Sequence, residues 1–145
     1  MKLFTIGFTK KSAERFFTLL QDAGVRRVID VRLNNVSQLA GFAKRDDLAY
    51  FLRAIHAIDY VHLPLFAPTG EILDAHKKQK GDWSVYEELF LQLMRERRVE
   101  EFPDRALFDG ACLLCSEDTP ECCHRRLVAE YLREKWGEME IVHLG

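Results

Sequence analysis

The residues best suited to chemistry are concentrated in one stretch, positions 110–126, which reads GACLLCSEDTPECCHRR. It contains all four cysteines of the chain, with one histidine, three acidic residues and two arginines. Its apolar beginning predicts a buried strand, and Thr119-Pro120 predicts a helix start, with threonine as N-cap and proline at the first helical position. In the first turn, N–H groups and the helix dipole favour anions and lower the pKa of a thiol. The residues expected there are Cys122, Cys123 and His124.

Cys115, Cys123 and His124 form the strongest candidate group, because the chain leaves a strand at the first and returns at the head of a helix with the other two. Such a group can hold a catalytic metal ion through sulfur and nitrogen ligands and leave one position open. It can equally be a thiolate nucleophile, with Glu117 and His124 as acid/base candidates and Arg125 for an oxyanion or phosphate. A third interpretation is that the thiols are packed in the core, and that His124 and the arginines only cap and solubilise the helix.

Cys112 and Cys115 have the Cys-x-x-Cys spacing of many zinc ligand pairs. A zinc knuckle needs a turn between the two cysteines, whereas this pair lies along a predicted strand. Three residues along a strand place the side chains on opposite faces. We therefore interpret Cys112 as a small core residue.

Several common nucleotide and phosphate motifs are absent from the sequence. A Cys-x5-Arg phosphatase loop is excluded, because Glu121 stands six residues after Cys115. Neither Gly-x-Gly-x-x-Gly nor a P-loop occurs. No nucleotide cofactor is therefore expected, while a metal ion is possible and its identity unknown.

Short apolar segments alternate with segments of helical periodicity. Strands are predicted over residues 3–7, 28–32, 60–64, 111–115 and 140–144, and helices over 12–23, 46–55, 84–98 and 120–136. This alternation predicts an α/β fold: a single three-layer domain, residues 1–145, with a mainly parallel five-stranded sheet and about four helices. It is Rossmann-like without a dinucleotide motif. Residues 65–81 are predicted to be a long loop.

Ligands of parallel sheets bind beyond the carboxyl ends of the strands. That edge should collect Gly7, Asp30, Arg32 and Pro64 together with the start of the last helix. Asp30 and Arg32 interrupt an otherwise apolar strand and lie on one face of it. Arg32 is expected to bind an anionic group such as phosphate or carboxylate, with Asp30 orienting it; alternatively, Arg32 only neutralises Asp30.

The composition is that of a soluble globular protein, with 48% hydrophobic and 30% charged residues. The net charge of −2 does not favour nucleic acid or an anionic membrane as partner. Basic clusters at residues 77–80 and 95–98 leave a local nucleic-acid patch possible. No apolar segment suggests a signal peptide or membrane span, and the closely spaced cysteines do not suggest a secreted disulfide framework. A cytoplasmic location is expected.

A series of short motifs resembles the DUF488 family, a family of unknown function. In order, they are Thr5-Ile6-Gly7, Asp30-Val31-Arg32 followed by Ser37, Tyr60-x-His62-Leu63-Pro64, Cys115-Ser116-Glu117 and Cys123-His124-Arg125. They cover nearly the whole chain. The resemblance implies the α/β fold and the site location, but it implies no reaction.

Two departures from the family pattern concern the proposed pocket. Phe8 and Thr9 stand where many members have His-Ser, so no role of that histidine can be transferred. Residues 65–70 replace a Leu-Gly-Gly segment, which indicates a differently shaped pocket wall.

These observations lead to one principal hypothesis and two alternatives. The principal one is a small enzyme of unknown substrate that binds an anionic or phosphate-containing small molecule. Its candidate catalytic residues are Cys115, Glu117, Cys123 and His124, and its candidate ligand-binding residues are Gly7, Asp30, Arg32, Ser37, Pro64 and Arg125. The alternatives are a non-enzymatic nucleic-acid-binding module and a redox or metal sensor.

Overall fold

Five parallel strands form one sheet in the computed structural model of this chain. They are β1 (Lys2–Gly7), β2 (Arg27–Asp30), β3 (Asp59–His62), β4 (Ala111–Cys115) and β5 (Glu140–His143). Their order across the sheet is β3-β2-β4-β1-β5, and every neighbouring pair is parallel. The structure describes residues 1–35, 41–79, 83–116 and 123–145, with the backbone alone for residues 75–79. The predicted α/β class and parallel sheet are confirmed.

Five α-helices lie within the described ranges. They are α1 (Ala13–Asp22), α2 (Arg45–His56), α3 (Gly70–Gln79), α4 (Trp83–Arg97) and α5 (His124–Trp136). The first of them begins as expected from its sequence, since the Ser12 side chain accepts a hydrogen bond of 3.1 Å from the backbone N–H of Arg15.

The helices cover both faces of the sheet. On one face, Phe16 and Leu20 of α1 and Leu52 of α2 pack with side chains of β1 and β4 in a buried cluster, called the α1/α2 cluster below. On the other face, Phe90 of α4 and Leu132 of α5 belong to a second buried cluster, called the α4/α5 cluster below. The arrangement is consistent with the predicted three layers, because alternate residues of each strand enter opposite clusters.

Helix α3 corrects the prediction of a long loop over residues 65–81 and raises the number of α-helices from about four to five. Pro68 and Gly70 indicated irregular structure, but Thr69 accepts a 3.2 Å hydrogen bond from the N–H of Ile72 and so starts the helix. Ile72 and Leu73 then pack against the α4/α5 cluster. After Gly70 the segment consists largely of good helix formers, so the prediction gave Pro68 and Gly70 too much weight.

Three boundaries of strands and helices differ from the predicted ones. Strand β2 ends at Asp30, so Val31 and Arg32 follow it. Helix α4 already begins at Trp83, before the predicted cap Ser84. Helix α5 begins at His124 with Cys123 as its N-cap residue, so the cysteine precedes the first turn. The predicted helix start at Thr119-Pro120 lies outside the described residues.

The register of the sheet brings the ends of its central strands to one edge. Gly7 pairs with Cys115, and Asp30 pairs with Leu114 on one side and His62 on the other. The polar residues that break the apolar patterning therefore share the carboxyl edge. In the described part of the chain, no helix combines the length and apolarity needed for a membrane span.

Candidate functional site

Two cysteines and a histidine meet where β4 ends and α5 begins. Cys115 is the last residue of β4, Cys123 precedes α5, and His124 opens that helix. One potential ligand atom from each residue lies within 4.8 Å of the others. All three side chains are buried, with 6%, 2% and 6% of their surfaces exposed in that order. The predicted grouping of these three residues is present in the fold.

The His124 ring is held at both of its nitrogens. Its Nε2 atom lies 2.6 Å from the carbonyl oxygen of Val31, and its Nδ1 atom lies 3.3 Å from Cys115 Sγ. A carbonyl oxygen can only accept, so Nε2 carries a proton and donates it. In the neutral ring, Nδ1 then has a free lone pair directed at the cysteine sulfur. The Phe90 ring, with its centroid 5.4 Å away, packs against the imidazole.

Cys123 differs from the low-pKa thiol predicted for a helix N-terminus. Burial raises its pKa well above the usual value, and the hydrogen bond and charge of Cys115 raise it further, while His124 acts in the opposite direction. The surroundings of Cys123 therefore favour the neutral thiol over the thiolate, the opposite of what a helix N-terminus alone predicts.

Cys112 lies apart from this cluster, as its position on the strand predicted. It is fully buried in the α1/α2 cluster, beside Leu114 and Phe4. Burial raises its pKa despite the opposing charge of Arg125. Cys112 is thus a core residue and not a partner of Cys115 in a zinc knuckle.

Asp30 and Arg32 form a buried ion pair at the same edge of the sheet. Arg32 Nε and Nη2 donate to the two carboxylate oxygens of Asp30 at 2.8 Å each, and the backbone N–H of Arg32 donates at 3.1 Å. The Tyr60 hydroxyl donates to the same carboxylate at 2.5 Å and Asn35 Nδ2 at 3.3 Å. Burial alone would raise the pKa of Asp30, but these donors and the Arg32 charge outweigh it and lower the pKa.

The Arg32 guanidinium keeps one donor unused. The residue is 2% exposed, and its Nη1 atom is buried without a hydrogen-bond partner among the described residues. The guanidinium carbon lies 5.4 Å from the Phe8 ring centroid, within cation–π range. His62 Nε2 lies 2.9 Å from the Arg32 carbonyl oxygen and donates to it. The guanidinium and its backbone are thus held in place, while the two N–H groups of Nη1 have no acceptor among the described residues.

Val31 connects the two polar groups through its backbone. Its N–H donates to the Leu114 carbonyl at 3.2 Å, and its carbonyl accepts from His124. Arg32 is the next residue. Asp30 and His124, which are far apart in sequence, therefore belong to one region of the carboxyl edge.

The remaining predicted site residues have different environments. Gly7 is buried beside Cys115, as their pairing requires. Pro64 is exposed and begins a short 3₁₀ turn after β3. Arg125 is fully buried next to His124. Ser37 and Glu117 lie outside the described residues, so their predicted roles stay predictions.

Sequence reasoning missed four contributors to the site. Tyr60 was noted only as a residue of a strand and of a family motif, and Phe8 only as a departure from the family pattern. Asn35 was not singled out. The Val31 carbonyl has no side-chain signal at all. Asp30 is the available signal for the side-chain donors, since a buried carboxylate in an apolar strand needs several hydrogen bonds.

The basic cluster at residues 95–98 is partly committed to the fold. Arg97 is half-buried, and its Nη1 atom donates to the carbonyls of Leu65 and Ala67 at 2.8 Å each. Three positions of the other basic cluster, 77–79, have only their backbone described, and the fourth is outside the described ranges.

A family model described as "Domain of unknown function DUF488" matches residues 12–132, most of the chain. The searches of curated proteins and of solved structures found no match.

Proposed function

The chain belongs to the DUF488 family, a domain of unknown function, and we propose that it binds one zinc-like metal ion through Cys115, Cys123 and His124. The metal is the centre of a pocket for a small anionic ligand at the carboxyl edge of the sheet. This proposal combines the predicted metal and anion sites in one place.

The observation that carries the proposal is the meeting of two sulfurs and one ring nitrogen within 4.8 Å of one another. Tetrahedral zinc, with Zn–S of about 2.3 Å and Zn–N of about 2.0–2.1 Å, places neighbouring ligand atoms roughly 3.5–3.8 Å apart. The 3.3 Å between Cys115 Sγ and His124 Nδ1 is close to that spacing. Metal-binding histidines also usually donate the second ring N–H to a carbonyl or carboxylate, as Nε2 does to Val31.

Burial of the thiols favours a metal over a free nucleophile. A cation would compensate the charge of two thiolates that are otherwise costly to form inside the protein, because coordination displaces the thiol proton, which is released to solvent. The three ligands found among the described residues leave a fourth position, and an open fourth position is typical of catalytic and not of structural zinc. A ligand oxygen at that position would be polarised by a Lewis acid.

Arg32 supports the anionic character of the ligand. Its Nη1 donor is buried and unused among the described residues, and an acceptor oxygen of a ligand would satisfy it. Asp30 already balances the charge of the guanidinium. The Nη1 atom is therefore suited to a hydrogen bond with one oxygen of a carboxylate or phosphate, and not to attraction of a ligand by net charge. Glu117 stays the predicted acid/base group.

Cobalt substitution tests the metal site directly. Metal-free protein titrated with Co²⁺ should bind one equivalent and develop the sulfur-to-cobalt charge-transfer band of a thiolate site. Cys115→Ser and Cys123→Ser should weaken or abolish this band, whereas Cys112→Ala, a buried cysteine outside the cluster, should retain it. Circular dichroism verifies that each variant is folded. No charge-transfer band in the folded wild type, or an unchanged band in both serine variants, would refute the metal site.

Titration of the cobalt protein with inorganic phosphate or acetate tests the anion site. Binding should shift the d–d bands of the cobalt. Arg32→Lys keeps a positive charge for Asp30 but lacks the Nη1 donor, and losing one charged hydrogen bond of about 1.5–3 kcal/mol should weaken binding roughly 10- to 100-fold. Equal affinity in the variant would remove Arg32 from the ligand site while leaving the metal site intact.

A thiol nucleophile is the second candidate, since Cys115 Sγ lies 3.3 Å from a ring nitrogen that can take its proton. Cys115 would then be the nucleophile and His124 the base. This alternative requires rapid alkylation of Cys115 by iodoacetamide in protein that acquires no metal.

We also propose a cytoplasmic location. Cys112, Cys115 and Cys123, the cysteines in the described ranges, form no disulfide. Cysteines that are not disulfide-bonded are typical of a reducing compartment.

A further inference from the structure

A groove between α1 and α2 has the composition of a second ligand site. It lies on the α1/α2 face of the sheet, whereas His124 packs against Phe90 in the α4/α5 cluster on the opposite face. Its volume is about 670 Å³, within the range of about 300–1,000 Å³ that is usual for small-molecule sites. The groove is therefore large enough for a compact organic molecule.

Aromatic rings form the floor and walls of the groove. Phe17 is 6% exposed, and its ring centroid lies 6.0 Å from that of Phe42, 6.1 Å from that of Phe51 and 6.4 Å from that of His56. Ile55 adds an aliphatic wall that is 52% exposed. Such a surface favours an apolar body, and the faces of its rings attract cations.

The charged groups of the groove have one sign. Glu14 on α1 and Asp47 on α2 both line it, and no lysine or arginine is among the described residues that do. Both carboxylates are exposed at the rim, where they attract a cation and repel an anion. The charge therefore selects against the anionic ligands expected at the carboxyl edge of the sheet.

His56 adds a polar atom that requires a partner. Its Nδ1 is buried and has no hydrogen-bond partner among the described residues, although the ring lines the groove. A buried polar atom left unpaired costs about 1–3 kcal/mol. A polar group of a ligand would satisfy this nitrogen once the ring turns its edge toward the groove, donating to it or accepting from it according to the ring tautomer.

We propose that this groove binds a small organic ammonium ion with an aromatic or branched aliphatic body. The apolar body lies among Phe17, Phe42 and Phe51, and the cationic head lies near Glu14 and Asp47. This proposal is independent of the metal site.

Three probes of one shape test the charge selection: phenethylamine, phenethyl alcohol and phenylpropionate. Protein NMR with each probe, in the full chain, should show phenethylamine shifting the aromatic signals of Phe17 and Phe51 most strongly. Phenethyl alcohol should bind several-fold more weakly, and phenylpropionate should bind weakest of the three. Equal affinity for all three probes, or no shift with phenethylamine up to millimolar concentration, would overturn the proposal.

Removal of the rim charges provides the matched variant. The double variant Glu14→Gln and Asp47→Asn changes two exposed side chains, so it should fold normally and lose about 10-fold in phenethylamine affinity, as expected for two partly screened charge contacts. Glu138→Gln removes an exposed acid outside the groove and should leave the affinity within about twofold. An equal change in both variants would show that net charge, and not the groove, attracts the amine.

Discussion

His124 Nε2 lies 2.6 Å from the Val31 carbonyl oxygen, so a helix that begins at residue 124 is joined to the backbone just beyond β2. This hydrogen bond assigns the ring proton to Nε2 and leaves Nδ1 for Cys115. The orientation of His124, a proposed metal ligand, is thus fixed by a main-chain atom just beyond β2. Most of the predictions below concern this contact and its neighbours.

Two substitutions of His124 should separate its structural and metal-binding roles. His124→Gln can keep an amide N–H near the Nε2 position, whereas His124→Ala removes both ring nitrogens. Both variants should bind cobalt more weakly and shift its d–d bands, because the nitrogen ligand is lost while both cysteines stay. The alanine variant should also be less stable than the glutamine variant by about 1–3 kcal/mol, because the buried Val31 carbonyl loses its donor. Urea unfolding of the metal-free proteins measures the difference. Equal stabilities would mean that the hydrogen bond to Val31 contributes little.

Asp30→Asn should destabilise the fold strongly. The substitution leaves the Arg32 guanidinium buried without its counter-charge, and breaking a buried ion pair in this way costs about 3–5 kcal/mol. The exposed pair between Arg45 and Asp46 is the matched control, and Asp46→Asn should change stability by less than about 1 kcal/mol. Urea denaturation at pH 7 compares the two variants. Similar losses in both would contradict the buried character of the first pair.

The Tyr60 hydroxyl should make the stability of the protein pH-dependent through Asp30. The pKa of Asp30 is lowered in the folded chain, so its stabilising contribution is complete above the unfolded value of about 3.9 and is lost as pH falls through the folded pKa. Tyr60→Phe removes one of the hydrogen bonds that lower this pKa. The stability gap between wild type and variant should therefore be largest above about pH 4 and narrow at lower pH. A gap independent of pH in urea titrations between pH 6 and 2 would be evidence against this linkage.

Alkylation mapped by mass spectrometry should distinguish the three described cysteines. Cys112 is fully buried and its pKa is raised, so it should react only when the protein unfolds. Cys115, which is 6% exposed and next to His124, should react before Cys123 in metal-free protein. Zinc should protect the latter two cysteines and leave Cys112 unchanged. Protection of Cys112 as well would indicate general stabilisation instead of coordination.

The meeting of Asp30, Cys115 and His124 at one edge could be predicted from sequence, because parallel strands share the edge at which their carboxyl ends lie. Polar residues at strand ends and a cysteine–histidine pair at a helix start are local signals. The prediction depended only on the α/β class, which the alternation of segments indicates clearly.

The donors that surround those residues could not be predicted in the same way. Tyr60 reaches Asp30 because β3 is the neighbour of β2, and strand order depends on packing of the whole sheet. The role of Val31 belongs to its carbonyl, which every residue possesses. Helix α3 was missed because Pro68 and Gly70 at its start were read as loop signals, although the helix formers that follow them favour a helix.

The position of β4 between β1 and β2 has a consequence for how the protein is made. The strand is the fourth to be synthesised, yet it joins the two halves of the sheet, so β1 and β2 have no shared neighbour until residue 111 has left the ribosome. Two of the proposed metal ligands follow later still, at residues 123 and 124. Metal loading is therefore a late event that comes after most of the chain is complete, and a truncation before β4 would yield sheet edges prone to aggregation instead of a partial site.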